Sequence, residues 1–266
     1  MNELTLGFSP CPNDTFIFHA LVTGLVPLEG IPLRPRLEDV ETLNRLAVEE
    51  RLDVTKVSYG ALPYLQGRYT LLRSGGALGR GCGPLLVARE RLTREDLTSA
   101  TIAVPGRMTT ANLLLRLFGP EFPEGREMVY SEIMPAVERG EVDAGLIIHE
   151  SRFTYPRYGL VKVVDLGEWW EEATGAPIPL GGIVARTALG EETIHQLESA
   201  IRASVEYAFR NPQASEEYVA LHAQEMEPAV MRQHIDLYVN DFSVDLAEEG
   251  ERAVNELLRR SLPVGA

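Results

Sequence analysis

Residues suited to chemistry fall into four short stretches of this chain. Ser9-Pro10-Cys11-Pro12-Asn13-Asp14-Thr15-Phe16 combines two prolines with a hydroxyl, a thiol, an amide and a carboxylate. Thr55-Lys56-Val57-Ser58 holds Lys56, which with Lys162 makes up the chain's entire lysine content. Thr109-Thr110 sets two hydroxyls before an apolar run, and His149-Glu150 closes another. Imidazole titrates near neutral pH, so His149 is the natural general base. A satisfied, partly buried histidine without a role would have the same spacing. The Lys56 ammonium suits a substrate carboxylate, although solvent or an acidic partner explains it equally well. Thr109 and Thr110 suit a carboxylate through hydroxyls and free N–H groups at a helix N-terminus, and as plain capping residues they would look identical.

The elements that must position these residues follow from periodicity. Leu4, Leu6 and Phe8 alternate as in a strand, the prolines stop it, and an apolar run of helical length begins near Phe16. Asn13 or Asp14 is the expected N-cap. The resulting helix N-terminus, with Ser9 and Asn13 beside it, suits an anion, or is simply a capped βα turn. Asp39 is the expected cap of the next helix. Leu52–Gly60 reads as a buried strand with a polar tip, and Leu71–Gly76 as a further strand. Pro84–Arg89 is an extended run that crosses between lobes. From Thr93 the pattern restarts: Thr101–Gly106 is a strand with a Pro-Gly break, Ala111–Phe118 a helix, Met128–Tyr130 a short strand, Ser131 a cap, and Val142–Glu150 a buried strand. Leu52-Asp53-Val54 and Val142-Asp143-Ala144 form an internal echo that suggests two α/β lobes of similar plan.

Ala176–Arg186 reads as the return crossing. Helices are expected at Glu191–Arg210, Pro212–Gln224, Pro228–Val239 and Val244–Ser261. Strands alternating with helices imply an α/β fold with mostly parallel sheets. The expected division is a discontinuous first lobe (1–87 plus 178–266) and an inserted second lobe (88–177). Ligands of such folds bind at strand carboxyl ends, in a cleft that closes by hinge motion. His149 is the only histidine expected there: His19 lies on the first helix, and His195, His222 and His234 lie in the C-terminal helices. Glu150, as the next strand residue, is expected to point away from His149.

Composition narrows the partners. The 266 residues carry a formal net charge of −14. No basic face is visible, which argues against nucleic acid, while one cation and local dipoles can still hold a small anion. No apolar run approaches the ~20 residues of a membrane span. The chain opens directly into a strand with no basic leader, so a soluble cytoplasmic protein is expected. Cys11 and Cys82 fit no CxxC pattern, and Cys11 is expected as a small buried filler or a group lining the site. Walker, dinucleotide-glycine and HExxH motifs are absent, and no clustered metal-ligand set is visible. The helical tail either forms a homodimer surface or completes the first lobe.

The turn Ser9-Pro10-Cys11-Pro12-Asn13-Asp14-Thr15-Phe16 and the phrase Gly145-Leu146-Ile147-Ile148-His149-Glu150 together resemble the 1,4-dihydroxy-6-naphthoate synthases of the futalosine route to menaquinone, across essentially the whole chain. The resemblance implies a two-lobed fold like the type II periplasmic binding proteins, used for catalysis in the cytoplasm without a cofactor. It implies cyclic dehypoxanthinyl futalosine as substrate, a carboxylate on a bicyclic ring spiro-linked to a sugar-derived portion. By position, His149 matches the family's general base. Thr55, Lys56 and Val57, with Thr109 and Thr110, match its substrate-binding segments. Ser9, Asn13 and Ser58 join them from the strand-end argument alone. A non-catalytic binding protein for a small carboxylate, and the sister chorismate dehydratase, remain the alternatives.

Overall fold

The computed structural model describes residues 3–223 and 227–261. The chain runs β1 (Leu4–Phe8), α1 (Pro12–Val22), β2 (Leu33–Leu37), α2 (Val40–Val48), β3 (Val54–Ser58), a 3-10 segment (Tyr59–Leu65), β4 (Tyr69–Leu71) and β5 (Ala77–Gly79). It then builds β6 (Leu85–Ala88), α3 (Arg94–Leu97), β7 (Ile102–Val104), α4 (Thr110–Phe118), β8 (Arg126–Glu127), α5 (Tyr130–Glu138), β9 (Ala144–Ile147), α6 (Ser151–Thr154), β10 (Val161–Asp165) and α7 (Leu166–Thr174). It returns through β11 (Ile178–Arg186) to α8 (Glu191–Arg210), α9 (Glu216–His222), α10 (Pro228–Tyr238), α11 (Asp241–Val244) and α12 (Ala247–Ser261). The expected helix end at Gln224 lies outside the described residues.

Two sheets result. One has the order β2-β1-β3-β11-β4, with β5 also on β11; the other has the order β10-β6-β9-β7-β8. Both are mixed rather than mostly parallel. β1 pairs in parallel with β2 and β3, and β7 with β8 and β9. β11 runs antiparallel to β3, β4 and β5, and β6 antiparallel to β9 and β10. The antiparallel strands include the two that enter a sheet from the other lobe, where no crossover helix forces a parallel return. β6, expected as a crossing, is thus a member of the second sheet.

The internal echo has a physical basis. Asp53 Oδ2 accepts the Thr5 N–H at 2.8 Å, and Asp143 Oδ2 accepts the Thr101 N–H at 2.8 Å. Each aspartate, one residue before or at the entry to its strand, ties down a neighbouring strand's start. Other local expectations shift by a residue or more. Met128–Tyr130 is not a strand; β8 lies just before it and Tyr130 opens α5, with Val129 rather than Ser131 at the cap position. Asp39 does cap α2, accepting the N–H groups of Glu41 and Thr42.

α1 is buried along almost its whole length, from Pro12 to Leu21. A helix buried on every face must be covered on all sides. Phe8 of β1 packs against Phe18, and α8, α9 and α10 of the tail pack over the helix. Phe8, Ile17 and Phe18 are fully buried there, each stabilising the lobe by about 1.5–3 kcal/mol. α12 does a different job: Ala253, Val254 and Leu257 join Tyr59, Leu86, Leu114 and Trp170 in one core that spans both lobes.

The chain crosses between lobes beside Gly83. A Cβ built on Gly83 would lie 2.3 Å from the Gly167 nitrogen and Cα, so two backbones meet where no side chain fits. The Gly83 carbonyl also accepts from Arg152, whose other nitrogen pairs with buried Asp165 at 2.6 Å. Gly83→Ala should therefore lower stability by about 1–3 kcal/mol, measured by denaturant unfolding.

Candidate active site

The cleft between the lobes is lined by Ser9, Asn13, Asp14, Lys56, Ser58, Thr109, Thr110 and His149, with Val40, Ala77, Pro84, Ile148 and Leu180 as its apolar wall and Cys82 and Tyr238 also facing it. Seven of the nine residues singled out from sequence thus meet in one place. Thr55 and Val57 do not. Side chains alternate along β3, so Lys56 and Ser58 face the cleft. Val57 packs with Ala47, Leu65, Tyr69 and Val184, and the Thr55 hydroxyl donates to the carbonyl of Lys56.

The floor of the cleft is an ion pair. Lys56 Nζ lies 2.9 Å from Asp14 Oδ1 and 3.1 Å from the Gly75 carbonyl. The two side chains are 6% and 2% exposed, so the pair is sealed from bulk water. Asp14 also accepts from the Ser9 N–H (3.2 Å), the Ser9 hydroxyl (2.8 Å) and the Asn13 amide (2.9 Å). Lys56 is accordingly committed to a protein carboxylate, with its third donor left toward the cleft. Neither Asn13 nor Asp14 caps α1. Pro12 sits at the first helical position with Cys11 at the cap, which places Asn13 and Asp14 inside the first turn.

The second lobe contributes the N-terminus of α4. Thr109 caps it: its hydroxyl accepts the Asn112 N–H at 3.2 Å and donates to the Gly106 carbonyl at 2.7 Å. The Thr110 hydroxyl bridges the lobes, accepting the Gly60 N–H at 3.0 Å and donating to the Leu180 carbonyl at 2.6 Å. Both hydroxyls are therefore taken up by the protein. Among the described residues, no acceptor lies on the Thr110 and Ala111 N–H groups, and these point the positive end of the helix at the cleft. Glu41 adds a further bridge, its Oε1 accepting the Met108 N–H at 3.2 Å.

His149 stands just beyond β9, which ends at Ile147. Its φ is +57°, a left-handed conformation unusual outside glycine. Strand alternation therefore does not extend to this point, and Glu150 is buried against Tyr130 and His234. The His149 ring meets Tyr130 edge-on, with centroids 5.3 Å apart, and stacks on His234 at 6.0 Å. Burial pulls the His149 pKa below its ordinary value, against the opposing pull of Glu150 and Asp14. Burial and the neighbouring His149 push His234 further down. The His149 imidazole is thus held in the neutral form that accepts a proton.

His234 and Tyr238 were not expected here. They stand one turn apart on α10, and His234 Nε2 lies 2.9 Å from Asn13 Oδ1. A helix 221 residues from Asn13 gives no local sign that it reaches the cleft, although the i, i+4 spacing of the two rings on one face was a usable hint. Cys11 is buried beneath the site, its thiol pushed well up by burial and Glu150; Cys82, up at about 12, is the thiol that lines the cleft. Among the described residues, no three His, Cys, Asp or Glu side chains converge as a metal site would require, and no helix is long and apolar enough to cross a membrane.

Two α/β lobes joined by crossing strands, with a cleft between them, have the periplasmic-binding-protein-like fold. The Candida albicans CA3427 gene product, whose structure exhibits the generic periplasmic binding protein fold, superposes with a TM-score of 0.71 at 11% identity over 100% of this chain and 92% of its own. A structure from Archaeoglobus fulgidus superposes with a TM-score of 0.92 at 36% identity, covering 97% of this chain and 96% of that one. The menaquinone biosynthesis family profile matches residues 4–262, and the chain belongs to that family. The 1,4-dihydroxy-6-naphtoate synthase of Thermus thermophilus is 58% identical over 257 residues, 97% of this chain and 93% of the relative. That of Streptomyces coelicolor is 51% identical over 270 residues, 99% of this chain and 94% of the relative. The chain is an enzyme of menaquinone biosynthesis.

Breaking the floor of the cleft should be costly. Lys56→Met strands the Asp14 carboxylate and is expected to lower stability by about 3–5 kcal/mol, read from equilibrium unfolding.

Proposed function

We propose that this chain is a cytoplasmic carbon–carbon lyase that converts cyclic dehypoxanthinyl futalosine to 1,4-dihydroxy-6-naphthoate, with His149 as general base. The reading is supported by the names of its relatives and by one observation above others: a neutral, buried imidazole held in a left-handed conformation at the cleft wall. Strain of this kind persists only where the surroundings enforce it, and it gathers at functional sites.

The substrate carboxylate is assigned to the Thr110 and Ala111 N–H groups at the start of α4, with the third Lys56 donor facing the same cleft. The bicyclic ring lies against the apolar wall of Val40, Ala77, Ile148 and Leu180. His149 removes a proton from the substrate, and the charge that develops is delocalised as the carbon–carbon bond to the sugar-derived portion breaks. Aromatisation of the ring drives the step. The protein supplies position, one base and exclusion of water, the last by lobe closure across the Thr110 and Glu41 bridges. The site needs no further cofactor for this chemistry. The partner is a small carboxylate rather than nucleic acid or a membrane, and the tail helices that cover α1 leave homodimer formation a separate matter.

His149→Asn keeps a residue that tolerates the left-handed backbone while removing the base. With cyclic dehypoxanthinyl futalosine and product followed by HPLC, it should lower kcat by roughly 10²–10⁴ with little change in KM. A loss confined to KM would remove His149 from the chemistry. Because burial holds the His149 pKa below 6.5, the wild-type acid limb of kcat/KM should lie below that pH, with a level profile from there to about pH 8.

A further inference from the structure

Behind His149 lies a buried pair that the proposed proton transfer does not itself employ. Glu150 Oε2 is 3.7 Å from His234 Nδ1, with the two side chains 9% and 0% exposed. Neither atom has a hydrogen-bond partner among the described residues.

The other nitrogen of His234 decides the protonation. Asn13 Nδ2 donates to Asp14 Oδ1 at 2.9 Å, so Asn13 presents its carbonyl oxygen to His234. That oxygen lies 2.9 Å from Nε2, which must therefore carry a hydrogen. With that hydrogen alone, the Nδ1 lone pair would face a carboxylate oxygen 3.7 Å away with both atoms buried and unsatisfied, which is expensive. One more proton turns this repulsion into an attraction, and a small shortening of the gap completes a hydrogen bond.

We propose that a single proton is held between Glu150 Oε2 and His234 Nδ1, and that the resulting pair is the positioning device of His149. Glu150 is the link. Its other oxygen lies 3.4 Å from the Tyr130 hydroxyl, which donates to it. Tyr130 and His234 are the two rings between which the His149 ring is held. Glu150 thus ties both sides of the bracket together. The groups that face the pair are Cys11 and Asp14 from the opening turn and α1, Lys56 from β3, Tyr130 from α5, His149 itself and Tyr238 from α10. Asp14 and Lys56 neutralise each other. A pair that holds one proton has no net charge, so no second positive charge stands beside His149 as it takes up a proton. This role rests on His149 being the base.

Glutamine at position 150 can accept from Tyr130 and donate to His234 Nδ1, reproducing both bonds, whereas leucine fills similar space and makes neither. Glu150→Gln should keep kcat near wild type, and Glu150→Leu should lose on the order of 10²-fold in kcat with KM little changed. Equal activity of the two variants would overturn the proposal. A second readout is independent of turnover and of the leucine variant's folding: ¹⁵N NMR of the histidines in the full-length protein, with His234 assigned through His234→Asn. The expected spectrum has a protonated Nε2 and an Nδ1 engaged in a hydrogen bond; in Glu150→Gln Nε2 stays protonated and Nδ1 stays hydrogen-bonded, now to the amide. An Nδ1 signal typical of a free lone pair would overturn the shared proton. Failure of His149 as base would appear instead as an active His149→Asn with the His234 signals intact, so the two failures are distinguishable.

Discussion

The buried ion pair between Asp14 and Lys56 is the constraint on which the rest of the cleft depends. Burying two opposite charges is favourable only when the geometry is good and the remaining valences are filled. Here Asp14 receives four donors, from Lys56, Asn13 and the Ser9 hydroxyl and N–H, and Lys56 also reaches the Gly75 carbonyl. The pair joins the end of β3 to the first turn of α1 and fixes which way the Asn13 amide faces. That orientation fixes the hydrogen on His234, and His234 supports the ring of His149. The protonation states of the site thus descend from one salt bridge, by a chain of contacts each within hydrogen-bond or ring-packing distance.

The lobes divide the work. The first brings charges already neutralised by each other, together with a tail helix that carries His234 and Tyr238. The second brings donors that have no acceptor among the described residues, at the start of α4, and the base. An anionic substrate is therefore met by backbone dipoles rather than by a free cation, which accords with a chain of net charge −14. Solute-binding proteins of this fold need only a cleft and closure. The difference here is a neutral imidazole in a strained backbone, set where a closed cleft would exclude water.

Much of this was legible in the sequence because it is local. Strand periodicity, the Pro-Cys-Pro turn and the Thr109 cap each depend on a few adjacent residues, and they placed Ser9, Asn13, Lys56, Ser58, Thr109, Thr110 and His149 at one end of their elements. Errors arose where tertiary structure overrides a local rule. Asn13 and Asp14 have the chemistry of N-caps, but Pro12 starts the helix earlier. Thr55 and Val57 share a segment with Lys56, but the two-residue period of a strand turns them away. Strand alternation does not place Glu150 relative to His149, because β9 ends at Ile147 and His149 has a left-handed φ. The parallel character of the sheets was overestimated because crossing strands carry the same apolar signature in either direction. His234 was out of reach, since no periodicity shows which end of a tail helix meets a turn more than two hundred residues away.

The most direct test is the crystal structure of His149→Asn with cyclic dehypoxanthinyl futalosine bound. The account predicts the carboxylate on the Thr110 and Ala111 N–H groups, the Asp14–Lys56 pair intact, and residue 149 at contact distance from the substrate beside the carbon–carbon bond that breaks. A carboxylate that draws Lys56 away from Asp14, or a substrate whose scissile bond lies out of reach of residue 149, would contradict it.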